Sequence, residues 1–205
     1  LCIARSFRAE NEREVVNFQA AELGGQGLVG GTVEKKGECL QVYVGYQCSP
    51  ASNREGRPAL GLSNRDISVR KEIRVSRVRR TAAQLVGIVN AVLFTAEDIN
   101  LVQGSPAGRR RFLDILLSQA DPLYLRGLKR YQKVVQQRNN LLRLLQEGRA
   151  LADELAFWDD ELVREGTWIT WRRLEGIKEL ARACAQHHAE LVGPEADFAL
   201  AYQPS

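Results

Sequence analysis

The amino-acid sequence predicts an α+β protein whose two kinds of structure are segregated along the chain. Between residues 28 and 78, β-branched and aromatic residues alternate with polar ones in short runs, the period of strands with one buried face. Beyond residue 106, apolar residues recur three and four positions apart over long stretches, the period of amphipathic helices. Between the halves stands Ser105-Pro106, a helix start: a serine oxygen caps free backbone N–H groups, and proline at the first helical position lacks a donor that has no partner there anyway. An antiparallel β-rich part is therefore expected over residues 1–105, a helical arm over 106–194, and a closing strand over 195–205 that returns to the sheet.

Composition bounds the function classes. With 205 residues, 44% hydrophobic and 26% charged, the chain has enough apolar surface for a core. The formal charge of +4 permits contact with nucleic acid without requiring it. No apolar run is long enough to cross a bilayer. Cys2, Cys39, Cys48 and Cys184 form no C-x-x-C pair, which argues against zinc or a thioredoxin-like motif and suits a reducing cytoplasm. The absence of methionine and the leading Leu1 lead us to expect an internal piece of a longer protein.

In chain order, residues 1–18 read as the tail of one element, a basic turn at Arg5-Ser6-Phe7-Arg8, and a short helix-like run from Glu10 toward Phe18. The glycines at 24, 25, 27, 30 and 31 have no Lys-Ser or Lys-Thr after them. They therefore read as a turn leading into a strand, not as a phosphate loop, which requires G-x-x-x-x-G-K followed by a hydroxyl. Residues 28–34 and 38–46 flank Lys35-Lys36-Gly37 and predict a hairpin, residues 49–63 a loop, and residues 66–72 and 73–78 two further short strands. Residues 65–80 carry Arg65, Arg70, Lys71, Arg74, Arg77, Arg79 and Arg80 against Asp66 and Glu72. Strand alternation puts Arg65 on one face and Arg70 and Arg74 on the other, so only a subset can meet one ligand. Two uses stay open, a charged edge that resists strand pairing and a contact to the phosphate backbone.

Residues 83–90 suggest a short helix and 91–94 a buried strand. Glu97 and Asp98 are adjacent and so point apart; one is expected to cap a turn or pair with Arg109 or Arg110. Asp114 follows Arg110 by four and Arg111 by three, the spacing of an intrahelical ion pair. Asp121-Pro122 opens a helix with Leu128, Tyr131, Val135, Leu142 and Leu145 near a seven-residue repeat and Gly148 as its stop. A second helix runs over residues 151–191. At 1.5 Å per residue the two would reach roughly 40 and 60 Å, paired antiparallel as a coiled-coil-like arm. Trp158, Trp168 and Trp171 read as packing residues, and the adjacent His187 and His188 cannot share a metal. Phe198, Leu200 and Tyr202 alternate as in a strand.

The junction carries a dense motif. Glu97-Asp98, Leu101-Val102, Gly104-Ser105-Pro106, Arg109-Arg110 and Phe112-Leu113-Asp114 resemble the pattern of the RecF family of bacterial DNA repair proteins, with Ala96 where that family usually carries proline. Tyr131, Gln137-Arg138-Asn139, Leu141-Leu142, Phe157-Trp158-Asp159 and Tyr202-Gln203-Pro204-Ser205 extend the resemblance over nearly the whole chain. The family usually has Asn-Gly where Ser76-Arg77 stands in this sequence, which puts the geometry of that turn in question.

The resemblance implies that residues 1–105 are part of the nucleotide-binding head of an SMC-like, ABC-type ATPase, with Arg5, Ser6 and Arg8 in a loop near the nucleotide. It implies a role for the 97–114 motif in coupling head to arm. The parent would bind ATP and magnesium, dimerise, clamp DNA, single-stranded or gapped duplex, at gaps, and help load RecA with RecO and RecR, in the cytoplasm and away from membranes. Walker A, signature and Walker B motifs have no counterpart in these residues, so no cofactor and no hydrolysis is expected of this stretch itself. The rival readings are a piece of another SMC-like ATPase and a helical interaction module without DNA binding.

Overall fold

A computed structural model describes residues 11–17, 19, 24–50, 67–193 and 195–204. Arg5, Ser6, Arg8 and Arg65 lie outside the described residues, as does the side chain of Glu97. The chain divides into two compact units, residues 1–92 and 93–205.

The first unit is built on an antiparallel sheet of strands β1 (Gln26–Lys35), β2 (Glu38–Pro50), β3 (Ile67–Val75) and β4 (Val78–Arg80), in that spatial order. The β1–β2 hairpin matches its sequence expectation and turns at Lys36 and Gly37, both at positive φ. The next two strands do not fall where expected. β3 runs unbroken through residues 72 and 73, and the hairpin turns at Ser76 and Arg77, the position at which the resembled family carries Asn-Gly, with φ of 47° and 72°. Two-residue hairpins need positive φ at both central residues to match strand twist, so the chain takes this geometry without the Asn-Gly that makes it easy. Ser49 and Pro50 belong to β2; the remainder of the expected 49–63 loop lies outside the described residues.

One face of the sheet is buried. Val42, Val44, Tyr46 and Cys48 of β2 and Ile73 and Val75 of β3 pack with Val16 and Leu85. Leu85 comes from a single helical turn, α1 (Ala82–Leu85), started by a capping box in which Thr81 and Gln84 satisfy each other's backbone N–H groups. The expected 83–90 helix stops there, since Gly87 at φ 87° turns the chain into a bridge between Val86 and Val89. Lys35 Nζ donates to the Ile88 carbonyl at 2.7 Å and ties this segment to the hairpin end. Residues 91–94 form no strand, and Val92 and Phe94 are 98% and 89% exposed.

The second unit is helical: α2 (Asn100–Gln103), α3 (Pro106–Ala120), α4 (Pro122–Gln146) and α5 (Glu154–Val192). Ser105 caps α3 by accepting from Gly108 N at 3.3 Å, and Asp121 caps α4 by accepting from Leu123 N at 2.8 Å. α4 ends in a Schellman motif: Gly148, at φ 67°, donates to the Leu145 carbonyl and Arg149 N to that of Leu144. α4 and α5 then run antiparallel, because partners descend along α5 as they ascend along α4: Asp121 with Arg172, Arg130 with Glu165, Arg138 with Asp159. At Gly127 the helices meet so closely that a Cβ would lie 2.3 Å from the Trp168 ring. Val134 and Leu141 are the buried residues of the distal arm, one position before the expected Val135 and Leu142. Residues 197–204 form no strand; Tyr202 packs on the cluster of Leu113, Leu117, Tyr124, Leu128 and Ile169.

Candidate nucleic-acid interface

Strand register sorts the basic residues of the second hairpin. Directly paired residues share a face, so Tyr43, Arg74 and Arg79 stand together, as do Gly45 with Glu72 and Gln47 with Arg70. This is the face opposite the core. Arg70, Arg74, Arg77 and Arg79 line a groove of about 530 Å³ on it, with Leu28, Tyr43 and Gly45 at its floor. Among the described residues the one acid in that lining is Glu72, which accepts from Arg74 Nε and from Arg79 Nε at 3.0 Å and Nη2 at 3.3 Å. The hydrogen bond from Arg74 holds the Glu72 carboxyl below its ordinary range; partial burial opposes this, and the Arg79 bond adds to it. Arg70 and Arg77 have no side-chain partner among the described residues.

Two of the candidates go elsewhere. Lys71 points to the core face, where its ammonium pairs with Glu12 and lies 5.7 Å from the Tyr46 ring centre. Burial, and then the Glu12 charge, raise the Tyr46 hydroxyl above its usual pKa. Arg80 pairs with Ile73 in the ladder and so also sits on the core side. A run of seven basic residues thus resolves into four on one groove, two behind it and Arg65 outside the described residues.

The 97–114 motif is occupied with structure in its own unit. Asp98 accepts from the Thr95 backbone N–H and hydroxyl, capping the short 3₁₀ turn Ala96–Ile99. At Gly104 a Cβ would meet the Asn100 carbonyl at 2.3 Å, so the position admits no side chain. Pro106 fills the first helical position, and Arg109 reaches back to the carbonyls of Val102 and Gly104 at 3.4 and 2.9 Å, closing the loop it follows. Phe112 is 42% exposed. Arg110 is not paired with Asp114 and has no side-chain partner among the described residues. Asp114 instead receives Arg173 of α5 through a two-pronged contact, Nε to Oδ1 and Nη2 to Oδ2, each 3.0 Å, together with the Tyr124 hydroxyl. Arg173 also donates to the Tyr202 hydroxyl at 3.3 Å. Burial alone would lower the Arg173 pKa; the Tyr202 bond and the Asp114 charge outweigh it, and the guanidinium stays charged. Burial and then the Asp114 hydrogen bond push the Tyr124 hydroxyl up, so it remains a donor. Three helices and the 197–204 segment are pinned at one carboxylate, a contact spaced too far along the chain to be read from local periodicity.

Nothing in the described residues forms a phosphate cradle. Gly30 and Gly31 are strand residues paired with Tyr43 and Val42, not a loop leading into a helix N-terminus, and the described residues do not fit ATP.

Known proteins resemble this chain over its whole length. No family model matches it. A DNA replication and repair protein RecF of Roseiflexus castenholzii is 40% identical, with 100% of this chain and 52% of that protein covered. The RecF of Herpetosiphon aurantiacus is 35% identical over 98% of the chain and 52% of its own length. A solved structure of the recombination mediator protein RecF with ATP, in the RecFOR pathway, superposes with a TM-score of 0.74 at 25% identity, over 92% of this chain and 45% of that one. The chain spans about half the length of the curated relatives it matches. Its antiparallel sheet followed by long helices is the α+β arrangement of that superposed structure, and over the half it spans the chain belongs to the RecF family.

Proposed function

We propose that this chain supplies the DNA-facing sheet and the helical arm of a RecF-type DNA repair protein, and that DNA phosphates lie on the open face of the sheet. The observation that carries this reading is the groove itself: Arg70, Arg74, Arg77 and Arg79 converge there, with Glu72 as the one acid among the described residues that line it. Guanidinium forks suit phosphate oxygens, and a face with excess positive charge draws a polyanion. In the parent, ATP and magnesium belong to other parts of the head, and ATP binding would pair two heads around gapped DNA. RecO and RecR are its partners in loading RecA, in the cytoplasm. We assign hydrolysis to the complete head and give this stretch a binding and coupling role, with the pinned Asp114 cluster holding the arm's base in a fixed geometry. Arg5, Ser6 and Arg8 remain candidates for the nucleotide side of that head.

The test is anisotropy of fluorescent gapped duplex with this chain across a salt series. Binding is expected at low salt, with log K falling against log salt by about 0.9 per phosphate neutralised. Arg74→Glu with Arg77→Glu should weaken binding and flatten the slope. A wild-type chain that ignores DNA at low salt overturns the reading.

A further inference from the structure

We propose that Glu72 is an internal counterion that shuts the middle of the groove to isolated phosphates and yields to a run of linked ones, so that the sheet takes a polynucleotide backbone and leaves free nucleotides and inorganic phosphates in solution; this rests on the phosphate-contact reading above and deepens it.

The order of charges along the groove carries the inference. On the open face of β3, Arg70, Glu72 and Arg74 follow one another two residues and so about 7 Å apart, and the turn places Arg77 beyond them. Arg79 of β4 stands directly opposite Arg74. Two guanidinium groups facing each other across a strand pair repel. Glu72 answers both, accepting from Arg74 Nε and from Arg79 Nε at 3.0 Å and Nη2 at 3.3 Å. It thereby bridges β3 to β4 beside a turn whose two residues both have positive φ. Its side chain is 38% exposed, so the carboxylate is free to swing into solvent when another anion takes its place. Arg70 and Arg77, on either side of this cage, have no side-chain partner among the described residues. The groove is thus open at both ends and occupied in the middle.

Every anion that enters the middle meets the same cost: the Glu72 contacts are lost, and a freed carboxylate stays close by. What differs is the gain elsewhere. A single phosphate in the middle gains nothing at Arg70 or Arg77, and one bound at either end leaves Glu72 in place. A backbone of linked phosphates follows the line from Arg70 to Arg77. Its contacts at the two open ends hold it over the cage, and a phosphate between them exchanges for the carboxylate as the partner of both forks. The carboxylate therefore sets a threshold that multiple phosphate contacts overcome and one contact does not. An acid that served only to hold the hairpin would do so without unpaired arginines on both of its flanks.

The experiment follows the arginine Nε–H signals of the full chain by NMR at constant ionic strength, with gapped duplex and with inorganic pyrophosphate as the short anion. In the unaltered chain the duplex should shift the Arg74 and Arg79 signals, and pyrophosphate should leave them where chloride does. In Glu72→Gln pyrophosphate should shift them too. With the protein held at the midpoint of its own DNA titration, pyrophosphate should also half-inhibit DNA binding by the variant at a concentration at least about fivefold lower, the factor that one exposed ion pair is worth at the top of its usual range. Because Glu72→Gln also removes the bridge from β3 to β4, the measurements on the unaltered chain stand without it. Pyrophosphate that shifts Arg74 and Arg79 in the unaltered chain as the duplex does, or an unchanged half-inhibiting concentration in the variant, overturns the inference. If the duplex shifts Arg70 and Arg77 but not Arg74 and Arg79, phosphate contact survives and only the exchange fails. If the duplex shifts none of the four, both fall.

Discussion

Replacing Asp114 by asparagine keeps the side chain's shape and removes its charge, which isolates what the carboxylate does for Arg173. The side chains of the pair are 12% and 19% exposed, so the partners are largely withdrawn from water. Arg173 presents two N–H groups to two oxygens at 3.0 Å; an asparagine accepts one and turns its own NH₂ toward the other, donor against donor. The Tyr124 hydroxyl loses a charged acceptor in the same step. Breaking a buried pair by removing one partner costs about 3–5 kcal/mol, and the residual exposure places this one near the lower figure. At ~2.1 cal/mol/K of unfolding entropy per residue, a helical unit spanning residues 93–205 should lose about 12 °C in Tm. Far-UV circular dichroism during heating reads it directly. An exposed pair such as Arg149 with Glu147 is worth no more than ~1 kcal/mol, so a fall below about 4 °C would refute the view of Asp114 as the pin of this unit.

Other perturbations separate packing, turn chemistry and charge. Gly127→Ala sets a helix-propensity gain of ~1 kcal/mol against the displacement of Trp168 from a Cβ 2.3 Å away; overpacking of this kind costs ~1–3 kcal/mol, so a net loss is expected in chemical denaturation, and a net gain would mean the ring moves freely. Ser76→Asn with Arg77→Gly should raise the stability of the first unit by about 1 kcal/mol through relief of two positive-φ residues, while lowering the DNA salt slope by about 0.9. Glu72→Gln frees Arg74 and Arg79 and should tighten DNA binding and steepen the slope by up to about 1.8. The Glu72 pKa is depressed in the folded state, so its pairing is complete above the usual carboxylate range and is lost as pH falls through the lowered value. Acidification over that range should strengthen DNA binding by the wild type and leave the Gln variant unchanged.

The elements legible in the sequence are those fixed by local chemistry. Lys36-Gly37, Ser105-Pro106, Asp121-Pro122 and Gly148 each mark a turn or helix end through capping groups or a glycine at positive φ, and each stands where the sequence pattern puts it. The β3–β4 turn stands at Ser76-Arg77, where the family resemblance puts one, but alternation alone divides the strands between residues 72 and 73, because Ser76-Arg77 carries no Asn-Gly signal and is held by the register of the strands around it. Residues 91–94 look like a buried strand from hydrophobicity alone, yet Val92 and Phe94 are exposed. In the arm the buried residues are Val134 and Leu141, each beside the expected Val135 and Leu142; both members of each pair are apolar, so hydrophobicity alone does not choose between the neighbours. The pairing of Asp114 with Arg173 spans 59 positions, and the nearer arginines at 110 and 111 outcompete it in any reading by spacing. On the sheet, alternation puts Arg70 and Arg74 on one face, as the structure also does, but Lys71 leaves the candidate set and Tyr43 joins the groove only once strand register is known.

The claim that DNA lies on one particular face of the sheet is tested most directly by comparing salt slopes for charge-removing variants on its two sides. Arg70→Gln with Arg74→Gln should reduce the slope on gapped duplex by about 1.8, and Arg80→Gln, on the core side, should leave it unchanged within error. Equal reductions from both sides, or a reduction from Arg80→Gln alone, would contradict the account.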